Sequence, residues 1–336
     1  MKTAVVKDGK IIIQDMSIPQ LNNRKGAIVK VLGSGLCGSD IVKLRENLVP
    51  DGTVLGHEIV GEIEEINSDS NFKIGDCIVS SHHIPCGQCV YCKSGNVSMC
   101  KHFKNTNLEP GGFSEYIYLS EEHLLNVAYL KPQNLSNDEA AFYEPLACCI
   151  RAVKRCSLKQ GDIAAVIGLG SIGIIMAQAL KAFGIQVIGL DLIDERVDIV
   201  KSKGLDAINS KNSSFTADYI KNLTGGYGVD AVFMTSGADK AINSAFSIIR
   251  NGGKILVFSS TPGNTGYPNN EVYYRELTIL GSYSPSPEDL RDSLNLLKDK
   301  KVDVKGISTI YDIENIQKAF DDTIKNEIMK AYIKIS

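Results

Sequence analysis

Six short apolar runs alternate with helical stretches in the part of the 336-residue chain that follows residue 162. The runs are IAAVIG, QVIGLD, DAINS, VDAVFMTS, KILVFSS and LTILGS. The helical stretches include SIGIIMAQALKAFG and DERVDIVKSKG, and both end at a glycine, the residue most common just past a helix C-terminus. Strands that alternate with amphipathic helices form parallel sheets. The pattern therefore predicts an α/β fold with a doubly wound parallel sheet.

The first of these strand runs leads into VIGLGSIG, whose glycines have the G-x-G-x-x-G spacing. In a strand–turn–helix setting the first glycine permits a tight turn, the second lets the backbone approach a pyrophosphate, and the third lets the helix pack on the strand. The motif predicts a dinucleotide site, with a sheet that binds no nucleotide as the alternative. The candidate cofactor-binding residues are Gly168, Gly170, Ser171, Ile172, Gly173, Asp191 and Arg196.

Asp191 ends the second strand run. A carboxylate at this position accepts hydrogen bonds from the hydroxyls of the adenosine ribose, and it repels a 2′-phosphate. We therefore expect NAD rather than NADP.

The first third of the chain is rich in short strands and turns. TAVVKDGKIIIQDM consists of two β-rich runs around an Asp-Gly turn, which is a hairpin signal. GAIVKVLGSGLCGSD, EIVGEIEEI, KIGDCIVSS and GGFSEYIYLS are further strand-like runs, and no periodic segment of helix length interrupts them. We expect an antiparallel β barrel or sandwich here, and the chain length favours two domains.

Charge, hydropathy and cysteine content exclude several classes of protein. A net charge of −3, from 36 basic and 39 acidic residues, argues against nucleic acid as a partner. The longest apolar stretch, AAVIGLGSIGIIMAQAL, is short for a membrane span, and the N-terminus lacks the apolar core of a secretory signal. We expect a cytoplasmic protein without membrane or nucleic-acid partners, in which clustered cysteines bind metal rather than form disulfides.

Two short motifs carry residue types that bind zinc. SGLCGSD contains Cys37, Ser39 and Asp40, and LGHEIVG contains His57 and Glu58. Thiolate and imidazole are common zinc ligands, and a catalytic site uses three protein ligands and keeps one position open. A single Cys and a single His at such a distance are usually core residues. The glycines around both, however, keep the backbone close and the side chains accessible.

A third cluster, PCGQCVYCKSGNVSMC, has the spacing C-x2-C-x2-C-x7-C. Its cysteines are Cys86, Cys89, Cys92 and Cys100. A disulfide cluster, a nucleic-acid-binding zinc finger, an iron–sulfur site and a structural zinc clip all use such residues.

The motifs CGSD, GHE, the four-cysteine segment, GGFSEY and GLGSIG occur in that order along nearly the whole chain. Together they resemble the zinc-dependent medium-chain dehydrogenase/reductase family. The resemblance implies a GroES-like β-rich catalytic domain (residues 1–145 and 286–336) and a Rossmann NAD-binding domain (residues 146–285). It also assigns structural zinc to the four cysteines, because four thiolates leave no open position. Cys77 and Cys156 are then expected to be small buried residues.

The segment YEPLACC resembles the polyol branch of this family, which includes sorbitol, xylitol, arabitol-phosphate and galactitol-phosphate dehydrogenases. Glu144 stands there at the position of a cysteine ligand in the alcohol dehydrogenase branch. The resemblance implies that Cys37 and His57 are fixed ligands of a catalytic zinc and that Glu58 and Glu144 share the remaining contacts. The alternative for Glu144 is an ordinary exposed residue at a domain boundary.

The resemblance also implies a mechanism. Zinc stabilises the alkoxide of the bound alcohol, whose carbon passes hydride to nicotinamide. Ser39 corresponds to the hydroxyl of a proton relay, and Asp40 to a carboxylate behind the zinc ligands. Val42 occupies the place of a histidine that continues this relay in alcohol dehydrogenases.

We therefore predict an NAD- and zinc-dependent dehydrogenase of a polyol, sugar alcohol or polyol phosphate, assembled as a homodimer or homotetramer. A secondary-alcohol or threonine-type dehydrogenase is the alternative within the family. A catalytically inactive nucleotide-binding protein is the alternative of another class. Arg45 and Arg275 are candidate ligands for a substrate phosphate.

Overall fold

Two units of chain make up the computed structural model, which describes residues 1–237, 239–260 and 266–336. The first unit comprises Met1–Pro145, Pro285–Lys298 and Val304–Ser336. The second comprises Leu146–Ser284 and Asp299–Asp303. The chain therefore leaves the first unit, builds the second, and returns.

The N-terminal part of the first unit consists of short strands joined by turns and short helices. The strands are β1 (Lys2–Lys7), β2 (Lys10–Asp15), β3 (Gly26–Gly35), β4 (Glu58–Asn67), β5 (Cys77–Ser80), β6 (Tyr116–Ser120) and β7 (Ala128–Leu130). The helices are α1 (Gly38–Arg45), α2 (Val90–Lys93), α3 (Lys101–Asn105), α4 (Glu121–Asn126) and α5 (Asn137–Ala140), and Val97–Met99 forms a 3-10 turn. Helix α6 (Tyr143–Cys156) contains the boundary between the units.

The second unit alternates strands and helices. Its strands are β8 (Ile163–Ile167), β9 (Gln186–Asp191), β10 (Asp206–Asn209), β11 (Val229–Met234), β12 (Ile249–Val257) and β13 (Thr278–Gly281). Its helices are α7 (Ser171–Ala182), α8 (Asp194–Ser202), α9 (Ser213–Leu223), α10 (Asp239–Ile248) and α11 (Asn269–Tyr274). The strands pair in parallel in the order β10-β9-β8-β11-β12-β13. This order is the doubly wound arrangement of dinucleotide-binding folds, and the predicted fold class is confirmed.

The returning segment adds α12 (Pro287–Lys298), β14 (Ser308–Asp312), a 3-10 turn (Ile313–Asn315), α13 (Ile316–Ile324) and β15 (Lys330–Lys334). Strand β15 pairs antiparallel with β3, so the C-terminal strand enters the sheet that the N-terminal segment began. The sheet has the order β14-β15-β3-β4-β5-β7, and β6 also pairs with β3. Only the β14–β15 pair among its described pairings is parallel.

Each unit has its own apolar core. In the first unit the core includes Phe113 and Phe320, whose rings meet edge to face at 6.2 Å. In the second unit, residues of the inner strands such as Val232 and Ile255 are fully buried. Strands buried on both faces read as continuous apolar runs, which is why they stood out in the sequence.

The sequence reading differs from the structure in the first third, where five short helices join the strands. Four of them have only four to six residues, and α1 has eight. Such helices are too short to produce a periodic apolar pattern. Within the described part of the chain, no helix combines the length and apolar character needed to cross a bilayer.

Candidate functional site

The turn after β3 and the start of β4 bring three potential metal ligands together. Cys37 precedes the first residue of α1, and His57 immediately precedes β4. Gly35 and Glu58 are paired across β3 and β4, so both turns lie at the same end of the strand pair. One potential ligand atom from each of Cys37, His57 and Glu58 lies within 4.8 Å of the others.

A glycine makes room for the third of these side chains. A Cβ atom added at Gly35 would lie 1.9 Å from Oε2 of Glu58, so the carboxylate occupies the space above the backbone of β3. Any other residue at this position would displace the carboxylate from its place beside Cys37 and His57.

Asp40 lies behind His57. Its carboxylate is fully buried on α1, and Oδ1 lies 3.4 Å from Nδ1 of His57. Burial opposes charge on Asp40, but His57 nevertheless holds the pKa of that carboxyl below its usual value. Burial likewise opposes charge on His57, while Asp40 and Cys37 raise its pKa well above the usual range. Because Nδ1 faces Asp40, Nε2 remains for a metal, an arrangement common among zinc-binding histidines.

Glu58 forms a buried ion pair with Lys330 of β15. The Lys330 ammonium lies 2.7 Å from Oε1 and 2.5 Å from Oε2 of Glu58. Among the described residues, Oε2 has no hydrogen bond of acceptable angle, and the same holds for both carboxylate oxygens of Asp40. The Glu58 carboxylate retains further lone pairs beside a thiol and an imidazole, a donor set that fits a bound cation.

The remaining residues predicted around this site have different surroundings. Glu144 is buried in the first turn of α6 and lies outside the group of three ligands, although its charge acts on Lys330. Ser39 is exposed at the start of α1, and Val42 is half-buried on the same helix.

Three further histidines form a chain of contacts that begins at His57. The His57 and His82 rings are 4.5 Å apart, and those of His82 and His83 are 3.8 Å apart. Nδ1 of His83 lies 2.6 Å from the carbonyl of Thr106, and Nε2 of His123 lies 3.2 Å from the carbonyl of His82. Burial is the main cause that lowers the pKa of His83 to about 4. Burial also lowers the pKa of His82 and of His123, so all three imidazoles are neutral near pH 7 and His82 packs on His57 without adding charge.

The four clustered cysteines form a second potential metal site. The Sγ atoms of Cys86, Cys89, Cys92 and Cys100 lie within 4.8 Å of one another. All nine cysteines of the chain are free thiols, so the disulfide alternative is not supported. Four thiols at this separation, with no carboxylate or imidazole in the group, fit a closed tetrahedral zinc site.

Local backbone structure lowers the pKa of one of these thiols. Cys100 precedes the first residue of α3. Burial opposes its ionisation, but hydrogen bonds from backbone N–H groups at Cys86 and Phe103 lower its pKa to about 6. Burial and the neighbouring thiol of Cys89 raise the pKa of Cys92 to about 12. Cys100 is therefore the first of the two to ionise.

The glycine motif in the second unit has the geometry of a phosphate-binding turn. Gly168 has φ +94°, and a Cβ added at Gly173 would lie 1.8 Å from the carbonyl oxygen of Gly168. Nothing lies within 4 Å of a Cβ added at Gly170, which precedes the first residue of α7. The N-terminus of α7, which begins with Ser171 and Ile172, is thus open to an anionic group.

Asp191 lies at the end of β9 beside this turn. Its carboxylate accepts hydrogen bonds from the N–H of Leu169 (2.6 Å) and of Ile193 (3.0 Å). The guanidinium of Arg196 is 3.8 Å away. Each carboxylate oxygen has a second lone pair, so the group still fits the ribose hydroxyls of NAD.

The two arginines considered for a substrate phosphate lie elsewhere. The guanidinium of Arg275 donates hydrogen bonds to the side chains of Asn251 and Glu271 and to the carbonyls of Phe246 and Ile249. All four partners belong to the second unit, so this guanidinium stabilises the unit itself. Arg45 is exposed and lines a surface cavity of about 720 Å³ together with Asp8 and Asp51.

Lys330 is the functional candidate that sequence reasoning missed. It is 272 positions from Glu58, and only the pairing of β15 with β3 brings the two together. The available signal was the lysine that directly precedes the apolar residues AYI of the strand KAYIK.

Two family models match the chain. Residues 23–129 match the alcohol dehydrogenase GroES-like domain, and residues 171–299 match the zinc-binding dehydrogenase model.

Relatives and solved structures cover nearly the whole chain. A sorbitol dehydrogenase of Halalkalibacterium halodurans is 32% identical, over 91% of this chain and 90% of its own length. A D-arabitol-phosphate dehydrogenase of Enterococcus avium is 30% identical, over 95% of this chain and 92% of its own length. An Escherichia coli oxidoreductase/dehydrogenase of unknown specificity has a similar structure, with a TM-score of 0.89 at 26% identity, covering 100% of this chain and 99% of that one.

Proposed function

The chain belongs to the zinc-dependent dehydrogenases with a GroES-like domain, enzymes that use zinc and NAD, and we propose that it oxidises a secondary hydroxyl of a polyol, sugar alcohol or polyol phosphate. The product is the corresponding ketose or ketone. One observation carries the substrate class: Glu144, a carboxylate, is buried in the first turn of α6 at the position that a cysteine ligand occupies in the alcohol dehydrogenase branch. The named activities of the relatives, sorbitol and D-arabitol-phosphate dehydrogenase, support the same class.

Each residue of the first site has a distinct part in this reaction. Cys37, His57 and Glu58 would hold the catalytic zinc, which supplies Lewis acidity to the substrate oxygen when bound. Asp40 orients the imidazole of His57. The exposed hydroxyl of Ser39 takes the substrate proton, and because Val42 cannot accept it, the proton passes to solvent.

Glu144 has a supporting part in this proposal. It lies outside the three-ligand group, so it acts through charge and through water rather than as a permanent ligand. The Glu144→Gln variant is accordingly expected to retain more catalytic zinc than Glu58→Gln.

The second unit binds NAD with the pyrophosphate at the open N-terminus of α7 and the adenosine ribose at Asp191. The carboxylate of Asp191 favours NAD over NADP because a 2′-phosphate would approach a buried negative charge. Tighter binding of NADPH than of NADH to the wild-type protein would contradict this preference.

We also propose a homodimer or homotetramer in the cytoplasm. Strand β13 is the last strand of the parallel sheet, and exposed residues such as Thr278 occur along it, so its outer edge is open to pairing with a second copy. The nine free thiols suit a reducing compartment. Light scattering of the purified protein measures the oligomeric state, and a monomer would contradict it.

The function is tested by metal analysis together with an NAD⁺-reduction screen. The screen covers free polyols, polyol phosphates, simple secondary alcohols and threonine, and it compares wild type with Glu58→Gln. We expect zinc in both sites, polyol turnover, and weaker zinc binding at only the first site in the variant. Turnover restricted to simple secondary alcohols or threonine would contradict the substrate class, and one zinc per chain without turnover would contradict the catalytic assignment.

A further inference from the structure

Lys330 reaches the metal group across strand β3. The strand order β15-β3-β4 places β3 between Lys330 and Glu58, and Gly35 is paired with Tyr332 on one side and with Glu58 on the other. Lys330 and Tyr332 are two positions apart, so they share one face of β15. The absence of a side chain at Gly35 leaves the space that the Glu58 carboxylate occupies. The side chains of two strands that are not neighbours therefore meet over a glycine.

The ion pair is almost completely shielded from water. The side chain of Lys330 is 6% exposed and that of Glu58 is fully buried. The ammonium also lies 5.8 Å from the ring centroid of Phe142, a buried residue. Burying a lysine is costly unless an opposite charge accompanies it, so this lysine requires the carboxylate next to it.

A purely structural ion pair does not require a carboxylate that also belongs to a potential metal site. Here the same Glu58 carboxylate lies within 4.8 Å of the potential ligand atoms of Cys37 and His57. Glu144 is a further carboxylate whose charge acts on Lys330. A Cys37 thiolate and the two carboxylates carry three negative charges, one more than a divalent ion neutralises. The Lys330 ammonium supplies the third positive charge that such a set needs for balance.

We propose that Lys330 is a positioning residue of the catalytic metal centre. Its ammonium holds the Glu58 carboxylate and would cancel one of the negative charges around a bound ion, which would keep that ion electrophilic toward the substrate oxygen. Without this charge, Glu58 binds the ion more tightly and weakens its Lewis acidity. The inference rests on the proposed function, because it requires a metal at Cys37, His57 and Glu58.

Four variants test this role. Lys330→Met removes the charge and retains most of the volume, and Lys330→Arg retains the charge. Lys334→Met is the matched control, since Lys334 lies on the same strand but is exposed. The fourth, Glu58→Gln/Lys330→Met, removes both charges at once and leaves no unpaired charge buried. Glu58→Gln alone is its reference.

The main readout is the visible spectrum of Co²⁺-substituted protein, which reports the coordination of the ion without turnover. The four-cysteine site contributes the same bands in every variant, so differences arise from the first site. We expect Lys330→Met to change these bands and to lower kcat about 10- to 100-fold, with little effect on KM for NAD⁺. Lys330→Arg should restore most of both properties, and Lys334→Met should match wild type.

The double variant shows whether Lys330 acts through Glu58. If it does, the Co²⁺ spectrum and kcat of Glu58→Gln/Lys330→Met equal those of Glu58→Gln. A further change in the double variant would overturn the inference, as would a Lys330→Met protein with the spectrum and kcat of wild type.

The two proposals fail in different ways. A protein that binds Co²⁺ at both sites but oxidises no polyol would contradict the substrate class, and the spectra would still decide the role of Lys330. Normal polyol oxidation with an unchanged spectrum in Lys330→Met would contradict only the role of Lys330.

Discussion

Gly35 and Asp40 show how single residues prepare the first metal site before any ion binds. Gly35 leaves room for a carboxylate, and Asp40 places a buried negative charge behind an imidazole. Neither residue touches the substrate in the proposed reaction. Both act by restricting where Glu58 and His57 can lie, which is how residues behind metal ligands commonly contribute.

The Gly35→Ala substitution tests whether the Glu58 carboxylate needs the space above the backbone of β3. The added methyl would overlap Oε2 of Glu58, the far end of a flexible side chain, so the carboxylate moves while the fold survives. We expect loss of zinc from the first site only, measured by metal analysis after dialysis against a weak chelator. Gly38→Ala is the control, because nothing lies within 4 Å of a Cβ added there. Equal zinc retention in the two variants would contradict the prediction.

The Asp40→Asn substitution tests the charge behind His57. It removes the negative charge and keeps the shape, so the imidazole loses its charged partner. We expect zinc affinity at the first site to fall about 10- to 100-fold, as measured by competition with a chromogenic chelator. Asp51→Asn, at an exposed position, should retain wild-type affinity. Unchanged affinity in Asp40→Asn would show that this carboxylate does not support the site.

Among the elements, β3 and α7 organise the two sites. Strand β3 pairs with β15, β4 and β6, so it joins the C-terminal strand to the strand that carries Glu58. Helix α7 starts directly after the glycine turn and packs against it so closely that Gly173 meets the carbonyl of Gly168. Strand β3 thus positions groups from distant parts of the chain, whereas α7 positions groups within one local motif.

Two alanine substitutions separate packing from cofactor binding at the start of α7. In Gly173→Ala the methyl meets a backbone oxygen that cannot turn aside, so we expect destabilisation by about 1–3 kcal/mol together with weaker NADH binding. In Gly170→Ala the methyl enters open space where the pyrophosphate approaches, so we expect normal stability and weaker NADH binding. Denaturant unfolding and NADH fluorescence titration measure both properties. Equal stability of the two variants would contradict the packing argument.

In the whole molecule, the two metal groups serve different purposes. The four-cysteine segment contains helices of only four and five residues and a three-residue 3-10 turn. Elements this short are not stable alone in water. A metal bound by four thiolates contributes directly to folding free energy in such a segment.

Removal of one of these thiolates should therefore lower the stability of the protein and leave the catalytic metal site intact. For Cys100→Ser we expect loss of the structural zinc, retention of the zinc at Cys37 and His57, and a lower melting temperature. Cys77→Ser is the control, because Cys77 lies outside both metal groups. Calorimetry and metal analysis on the same samples measure the two effects. An unchanged melting temperature in a Cys100→Ser protein that has lost this zinc would contradict a structural role.

Much of the fold and part of the site were predictable from local sequence. The runs IAAVIG and QVIGLD have a clear strand pattern because both faces of a parallel sheet are buried. The glycine motif and the cysteine spacing act over short distances, so their geometry follows from a few consecutive residues. Helices α2, α3 and α5 escaped prediction because four or five residues do not complete a periodic pattern.

The sequence by itself determined the parallel sheet, the glycine turn and the identity of the potential metal ligands. Only the tertiary structure decided that Glu58 joins Cys37 and His57 while Glu144 lies outside that group, and that Lys330 pairs with Glu58. The physical reason is that charge balance in a buried site depends on which side chains meet in space. The lysine and the carboxylate meet because β15 and β4 flank β3 over a glycine, and no local pattern in the chain encodes that register.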